Sequence, residues 1–441
     1  MPTSFSAPFP AATHADWLAQ VQKDLKDPNA YESLRWPTPE GFTAEPYYTA
    51  EQLASLPLAQ IQAVQKSAPG WLNTPFYAIT DEKTDNATLR DALASGAEAL
   101  VLQLRANADL PHLLAGIKLS DTPVFFHVEG DIVVFLERLR QLAPYQLRGG
   151  IMTHHANLPE AHTLTADSPL FRIVTINGGA FHHAGATATQ ELAFTLAQLA
   201  DMYDSLTASG LAVDQLVPKT TITLAVGTSY FMEIAKLRAL RVLLARFTNA
   251  YALSSPTSFP PFFLTCTTSP FYEATATPYT NLLRATTEAM AAVIGGCDAL
   301  SVRPYNAVLN AQNEFSHRIA RNVSVLLKAE SYLDKVADPS AGSYYIESLT
   351  HQLIEAAWTL FLQVESIGGF AKAAETGFIK NELDAAYQAK IQAVTNGRTL
   401  VGVTKFRHDE GEQTKPASQS IAQSEGDFTG LNNRRLAESF E

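Results

Sequence analysis

Two adjacent histidines, His182 and His183, stand in a glycine-rich turn, TINGGAFHHAGAT, between a buried-strand pattern and a helical one. A β/α barrel presents its chemistry at such a place, the C-terminal end of a strand. Histidines there can shuttle protons, donate hydrogen bonds or bind metal. No acid or nucleophile follows them at useful spacing, however, so satisfied turn or interface histidines are the plainer reading. Neither CxxC nor HxxxH occurs, and no metal site is expected. The two cysteines, Cys266 and Cys297, lie in apolar surroundings and read as buried thiols of a reducing compartment.

The elements that would position these histidines repeat along the chain. Short β-branched or aromatic runs occur at Ala99–Leu104, TPVFFHV, FRIVTIN, TTITLAV, FFLTCTT and DALSVRP, with a further strand near Leu147–Met152. Helical patterns separate most of them, notably Ala188–Ser205, Tyr230–Ala250 and Pro278–Ile294. Strands that are continuously apolar indicate a parallel sheet covered on both faces. The fold class expected is α/β, a (β/α)8 TIM barrel, with an open doubly wound sheet as the alternative. After Ser316 the pattern turns helical, at Ile319–Leu333, Tyr345–Ser366, Phe370–Glu375 and Asn381–Asn396, with the turn ADPSAGS after the first and Gly368–Gly369 after the second.

Three regions follow. Residues 1–65 form an arm, 66–406 the barrel with its C-terminal helices, and 407–441 a polar, linker-like, mobile tail ending in the short stub LNNRRLAESFE. In the arm, an amphipathic helix around Trp17–Leu25 precedes WPTPEGFTAEPYYTAEQL, where Pro37, Pro39, Gly41 and Pro46 exclude regular structure. Its aromatic residues Trp36, Phe42, Tyr47 and Tyr48 need a surface to pack on, either the home barrel or a second subunit.

Composition narrows the function classes. The chain has 441 residues, 46% hydrophobic, enough for a large core, and only 17% charged. A formal net charge of -12 argues against nucleic-acid binding. No apolar run approaches a membrane span, and no cationic-then-apolar leader opens the sequence. A cytoplasmic protein without membrane contact is expected.

Several long motifs then carry a resemblance. SYFMEIAKLRALRVLLARF (229–247), EFSHRIARNVSVLLKAESYLDKVADPSAGSYYIESLT (314–350), WTLFLQVESIGGFAKAAETGFIK (358–380) and VGVTKF (401–406), in that order, resemble the barrel region of methylmalonyl-CoA mutases. WPTPEGFTAEPYYTAE resembles the N-terminal arm of that family. The resemblance implies a barrel threaded by a CoA thioester and a separate flavodoxin-like domain carrying adenosylcobalamin. It also implies radical interconversion of methylmalonyl-CoA and succinyl-CoA. Some bacterial members pair a catalytic chain with a similar, inactive, smaller one, and each arm wraps the other chain.

The catalytic pattern of the family is degenerate here. Its tyrosine and substrate-binding histidine match Gly179 and Ala180, which cannot donate to a thioester carbonyl. Lys219 and Thr221 stand where an arginine and a CoA-holding serine are expected, and Lys219 lacks the planar guanidinium fork. Thr223 replaces a bulky aromatic residue. Thr265 and Thr267 replace a histidine and a glutamine, and Ala307 replaces the glutamate that meets the adenosyl ribose. Thr74-Pro75-Phe76, with Tyr77 adjacent, falls on the substrate clamp. Arg238, Arg241, Arg318 and Arg321 fit salt bridges as well as ligand contact, and Asp338 and Ser340 fit a turn.

The reading that follows is a small, non-catalytic subunit of a heteromeric methylmalonyl-CoA mutase, closest to that type and truncated before the cobalamin-binding domain, since no Asp-x-His-x-x-Gly motif occurs. Its partner would be the catalytic large subunit, with self-association when alone. Adenosylcobalamin would belong to the complex and none to this chain alone. Two alternatives remain. One is an active acyl-CoA mutase barrel using Tyr77, His182, His183, Lys219 and Thr221 with a separately encoded cobalamin domain. The other is an orphan acyl-CoA-binding scaffold.

Overall fold

A computed structural model describes residues 12–27, 29–153, 157–251, 262–309, 313–408 and 431–441. Of the tail expected over 407–441, residues 409–430 lie outside the described residues, whereas 431–441 pack against the barrel, because Leu436 and Ala437 are buried with Phe271 and Val394.

Eight parallel strands close into a barrel. β1 runs through Leu72–Asn73 and Phe76–Ala78, β2 is Leu100–Arg105, β3 Val124–Glu129 and β4 Arg148–Ile151. β5 runs through Leu170–Arg172 and Val174–Asn177, β6 is Thr220–Val226, β7 Phe263–Thr268 and β8 Ala299–Ser301. The first half of β1 pairs with β8 and its second half with β2, so the sheet has no edge. That ladder excludes the open-sheet alternative. Pro75 interrupts β1, but its carbonyl still accepts the Val101 amide at 3.1 Å. Gly149 and Gly150 let β4 approach its neighbours, because a Cβ at either position would collide with the Val124 or Arg172 carbonyl.

The helices used below are α1 (His14–Leu25) in the arm, then α2 (Gly179–His183), α3 (Ala188–Ala208), α4 (Tyr230–Thr248) and α5 (Thr280–Ile294) around the barrel. α6 (Glu314–Ala329), α7 (Tyr344–Ile367) and α8 (Phe378–Thr395) follow. α3 opens on a capping box, in which the Thr187 hydroxyl accepts the Gln190 amide at 3.2 Å while Gln190 accepts the Thr187 amide at 3.1 Å. α6 begins at Glu314, several residues before the apolar period suggests, because Asn313 caps it through the Ser316 amide. α7 ends at Gly368, whose φ of 114° supplies the left-handed stop.

Main-core residues fill the layer between strands and helices. Three of the four arginines flagged on α4 and α6 are ion-paired, and the fourth, Arg318, lies 5.4 Å over the Phe315 ring. Arg238 meets Glu347 at 2.8 Å, Arg241 meets Asp298 at 3.3 Å and Arg321 lies 3.8 Å from Asp91. Arg238 also reaches Asp338 in the ADPSAGS turn.

The arm packs partly on its own barrel. Tyr48 meets Tyr345 of α7 with ring centroids 5.6 Å apart, and Gln62 donates to Glu347 at 3.0 Å. Against the expectation of no regular structure here, Trp36–Pro37 and Thr43–Ala44 pair in a two-residue antiparallel ladder, since a proline is tolerated at a strand edge. Glu40 at its tip accepts the Thr189 amide at 3.0 Å at the start of α3. Trp36 and Tyr47 stay 44% and 50% exposed, and α1 buries none of its residues. Part of the arm's apolar surface is thus left without cover from the home barrel. Among the described residues no helix is long and apolar enough to cross a membrane.

Candidate functional site

Side chains alternate along barrel strands, so every second residue faces the axis. Phe263, Thr265 and Thr267 of β7 follow this rule, while Leu264, Cys266 and Thr268 are buried on the other side. Low on the axis, Phe125 of β3 stacks on Phe263 of β7, with ring centroids 5.6 Å apart and planes at 19°. The Arg172 guanidinium of β5 lies 4.1 Å from the centre of the Phe263 ring. Burial pushes that guanidinium down to about 10, and Asp298 partly opposes the shift.

Above the stack remains a cavity of about 100 Å³. Ligand sites for molecules of drug size or larger are typically about 300–1,000 Å³. The lining includes Gly179, His183, Thr265, Thr267 and Ala307 from the candidate positions. It also includes residues that were not singled out: His127, Asn177, Ser301, Arg303 and His317. Period-two counting could have found His127, which lies two residues beyond Phe125 in TPVFFHV. His317 could not have been found that way, because it comes from a helix. Thr223 also lines the cavity, and its hydroxyl donates to Asn177 Oδ1 at 3.0 Å.

The remaining candidates point elsewhere. Tyr77 faces α6, stacked on His317 at 5.7 Å and 20°, and it is Phe76 that enters the cavity. Burial raises the Tyr77 phenol, with the Arg321 charge opposing. Lys219 precedes β6 at the barrel's lower end, where its ammonium donates to the Thr165, Ser168 and Phe171 carbonyls at 2.8, 2.6 and 3.1 Å. Thr221 is fully buried, and its hydroxyl has no hydrogen-bond partner. Ala180 is buried but does not line the cavity.

The two histidines separate. His183 faces the cavity, whereas His182 turns outward to place Nδ1 3.3 Å from Glu191 Oε2 on α3. An acid does therefore follow at contact distance, against the expectation, because the turn folds α3 back onto α2. Burial, then the Lys236 charge, pushes His182 down to about 3, which keeps it neutral at ordinary pH. Lys236 of α4 is itself fully buried, 2.7 Å from Glu191, 2.5 Å from Glu233 and 2.7 Å from the Ala225 carbonyl. Burial alone would lower the ammonium, but the two carboxylates outweigh it and hold Lys236 above its ordinary value. His182 belongs to a structural charge cluster. Among the described residues, no group of three or more His, Cys, Asp or Glu side chains could hold a metal.

As a site, the axis offers hydroxyls, an amide, imidazoles and one guanidinium in a small volume above an aromatic floor. At Gly179, Ala180 and Ala307 no side-chain donor exists to meet a thioester carbonyl or a coenzyme ribose. The residues present do not fit an adenosyl group or an acyl-CoA threaded through the barrel.

Comparison with known proteins gives a consistent picture. Residues 156–433 match the methylmalonyl-CoA mutase family profile. The methylmalonyl-CoA mutase small subunit of Porphyromonas gingivalis is 31% identical over 436 residues, covering 90% of this chain and 70% of that protein. The corresponding small subunit of Streptomyces virginiae is 29% identical over 445 residues, covering 91% of this chain and 72% of its own length. The large subunit from Porphyromonas gingivalis is 36% identical over a shorter 240 residues, 54% of this chain and 33% of that one.

Proposed function

The chain belongs to the methylmalonyl-CoA mutase family, and from that premise we propose that it is the small, non-catalytic subunit of a heteromeric, adenosylcobalamin-dependent enzyme. Its catalytic large-subunit partner interconverts methylmalonyl-CoA and succinyl-CoA. This chain supports that partner and is inactive alone. The carrying observation is the occluded axis. Phe125 and Phe263 stack where a pantetheine arm would have to pass, and the cavity above them is about 100 Å³. The long relatives named small subunits support the same reading.

A barrel that turned over acyl-CoA would need donors at the reacting carbonyl, since preorganised donors supply much of such catalysis. Of the five contacts such a reading would use, Tyr77 is stacked on α6, Lys219 is held by backbone carbonyls, His182 pairs with Glu191 and Thr221 is fully buried, which leaves His183 alone facing the cavity. A retained scaffold whose family donor positions have become Gly179, Ala180 and Ala307 fits an assembly subunit.

Co-purification with a large subunit of the family tests the proposal. A stable complex whose turnover exceeds that of the large subunit alone is expected. No complex on size exclusion, or acyl-CoA isomerisation by this chain supplied only with coenzyme, would overturn it.

A further inference from the structure

The last described segment, residues 431–441, crosses the C-terminal rim of the barrel and closes a hydrophobic cluster of its own. Leu436 and Ala437 are fully buried there with Phe271, Ala274, Val394 and Val403, apart from the main core. Phe440 packs alongside. The segment is anchored like a bound peptide. Its Arg434 amide donates to the His183 carbonyl at 2.8 Å, and its Leu436 amide donates to the Phe271 carbonyl at 2.8 Å. The Arg434 guanidinium pairs with Asp384 and sits 4.7 Å over the Tyr387 ring. Arg435 donates to the Glu273 carbonyl at 3.1 Å and to Glu441 at 2.6 Å, while Glu441 accepts from the Thr275 hydroxyl at 2.8 Å. In sequence, residues 409–430 separate this segment from the preceding described residues.

The anchoring bears on the cavity. α2, a helix of five residues, carries Gly179 and His183 to the axis. Few bonds of its own hold so short a helix, so its position depends on neighbours. From outside, α2 and the turn after it are held by Arg434 on the His183 carbonyl and by Lys390 of α8 on the Gly185 and Ala186 carbonyls, at 2.9 and 2.5 Å for the latter pair.

We propose that the groove between α8, the 400–403 turn and the Phe271–Ala274 turn is a peptide-binding site for a basic-then-apolar segment. Residues 431–441 are its resident tethered ligand, and their seating fixes α2 and the position of His183. The inference rests on this packing and not on the assignment as a mutase subunit. Two features support separability: a cluster distinct from the main core, and anchoring through backbone carbonyls.

The test uses the full chain. Leu436→Asp should unseat the segment and leave the groove open. A fluorescent peptide of residues 431–441 should then bind the variant about tenfold or more tighter than the native chain, whose groove is filled by the tethered copy. Amides of residues 181–186 should exchange about tenfold faster in the variant and slow again on adding peptide. In the native chain, the Arg434 and Leu436 amides should exchange together, and faster than the Ile222 amide in β6. Failure of the peptide to bind, or unchanged exchange in α2 while the segment is released, would overturn the proposal. So would exchange of the Arg434 amide only through global unfolding. None of these results touches the subunit assignment.

Discussion

Phe263 of β7 stacks on Phe125 of β3 across the barrel axis, with centroids 5.6 Å apart, and the Arg172 guanidinium lies 4.1 Å from the centre of the Phe263 ring. The stack narrows the axis at this level, with Phe263 itself only partly buried. Phe263→Ala should remove both contacts and cost about 3 kcal/mol, the low end of the range for a core aromatic truncated to alanine, because Phe263 is only partly buried. Urea unfolding would measure the loss. Benzene-sized ligands should restore part of it by occupying the opened axis. A variant as stable as the parent would show that the stack contributes little.

Lys236 joins Glu191 and Glu233 with no exposure to solvent at the ammonium. Lys236→Met should cost about 3–5 kcal/mol, because it leaves two carboxylates buried without their cation. Adding Glu191→Gln and Glu233→Gln should recover much of that loss. Denaturant melts of the single and triple variants give the comparison.

His182 gives a pH dependence of definite sign. Its folded value of about 3 lies below the ordinary 6.5, so between these limits the unfolded chain binds the extra proton. Stability contributed by neutral His182 is therefore complete above about pH 6.5 and is lost as pH falls toward 3, by on the order of a few kcal/mol. His182→Gln should flatten the stability profile across that window, as read by melting at a series of pH values. An unaltered profile would show that carboxylates alone set it.

Glu40 latches the arm tip to the first turn of α3, its carboxylate accepting the Thr189 amide and its backbone carbonyl accepting the Thr189 hydroxyl, of which only the first is lost on truncation. Glu40→Ala should cost about 1 kcal/mol, since a side chain at a helix N-terminus contributes about that much. Limited proteolysis between residues 30 and 50 should quicken well before the barrel is cut. Equal cleavage rates would place the latch elsewhere, for instance at Tyr48 and Tyr345.

Much of this molecule was legible from local pattern. Buried strand runs, their helical spacers and the Gly368 stop are short-range signals, set by backbone sterics and hydrophobic period. The thinness of donors at Gly179, Ala180 and Ala307 was equally plain, since a missing side chain needs no structure to be noticed. Arg238 and Arg241 were flagged with salt bridging as one reading, and both are ion-paired.

Direction and closure were decided by the tertiary structure. Whether β1 meets β8 depends on a ladder between residues more than two hundred apart in sequence. Whether His182 or His183 faces the axis turns on the rotation of a single short helix held by neighbours from α8 and residues 431–441. Lys219 keeps a charge at a position suggestive of ligand, yet three carbonyls converge on it. The width of the axis is set by Phe125 of β3, Arg172 of β5 and Phe263 of β7, far apart in sequence and adjacent only in space. Local sequence fixes which atoms are available, whereas long-range packing fixes which of them share a cavity, because close-packed side chains leave few places for each group to point.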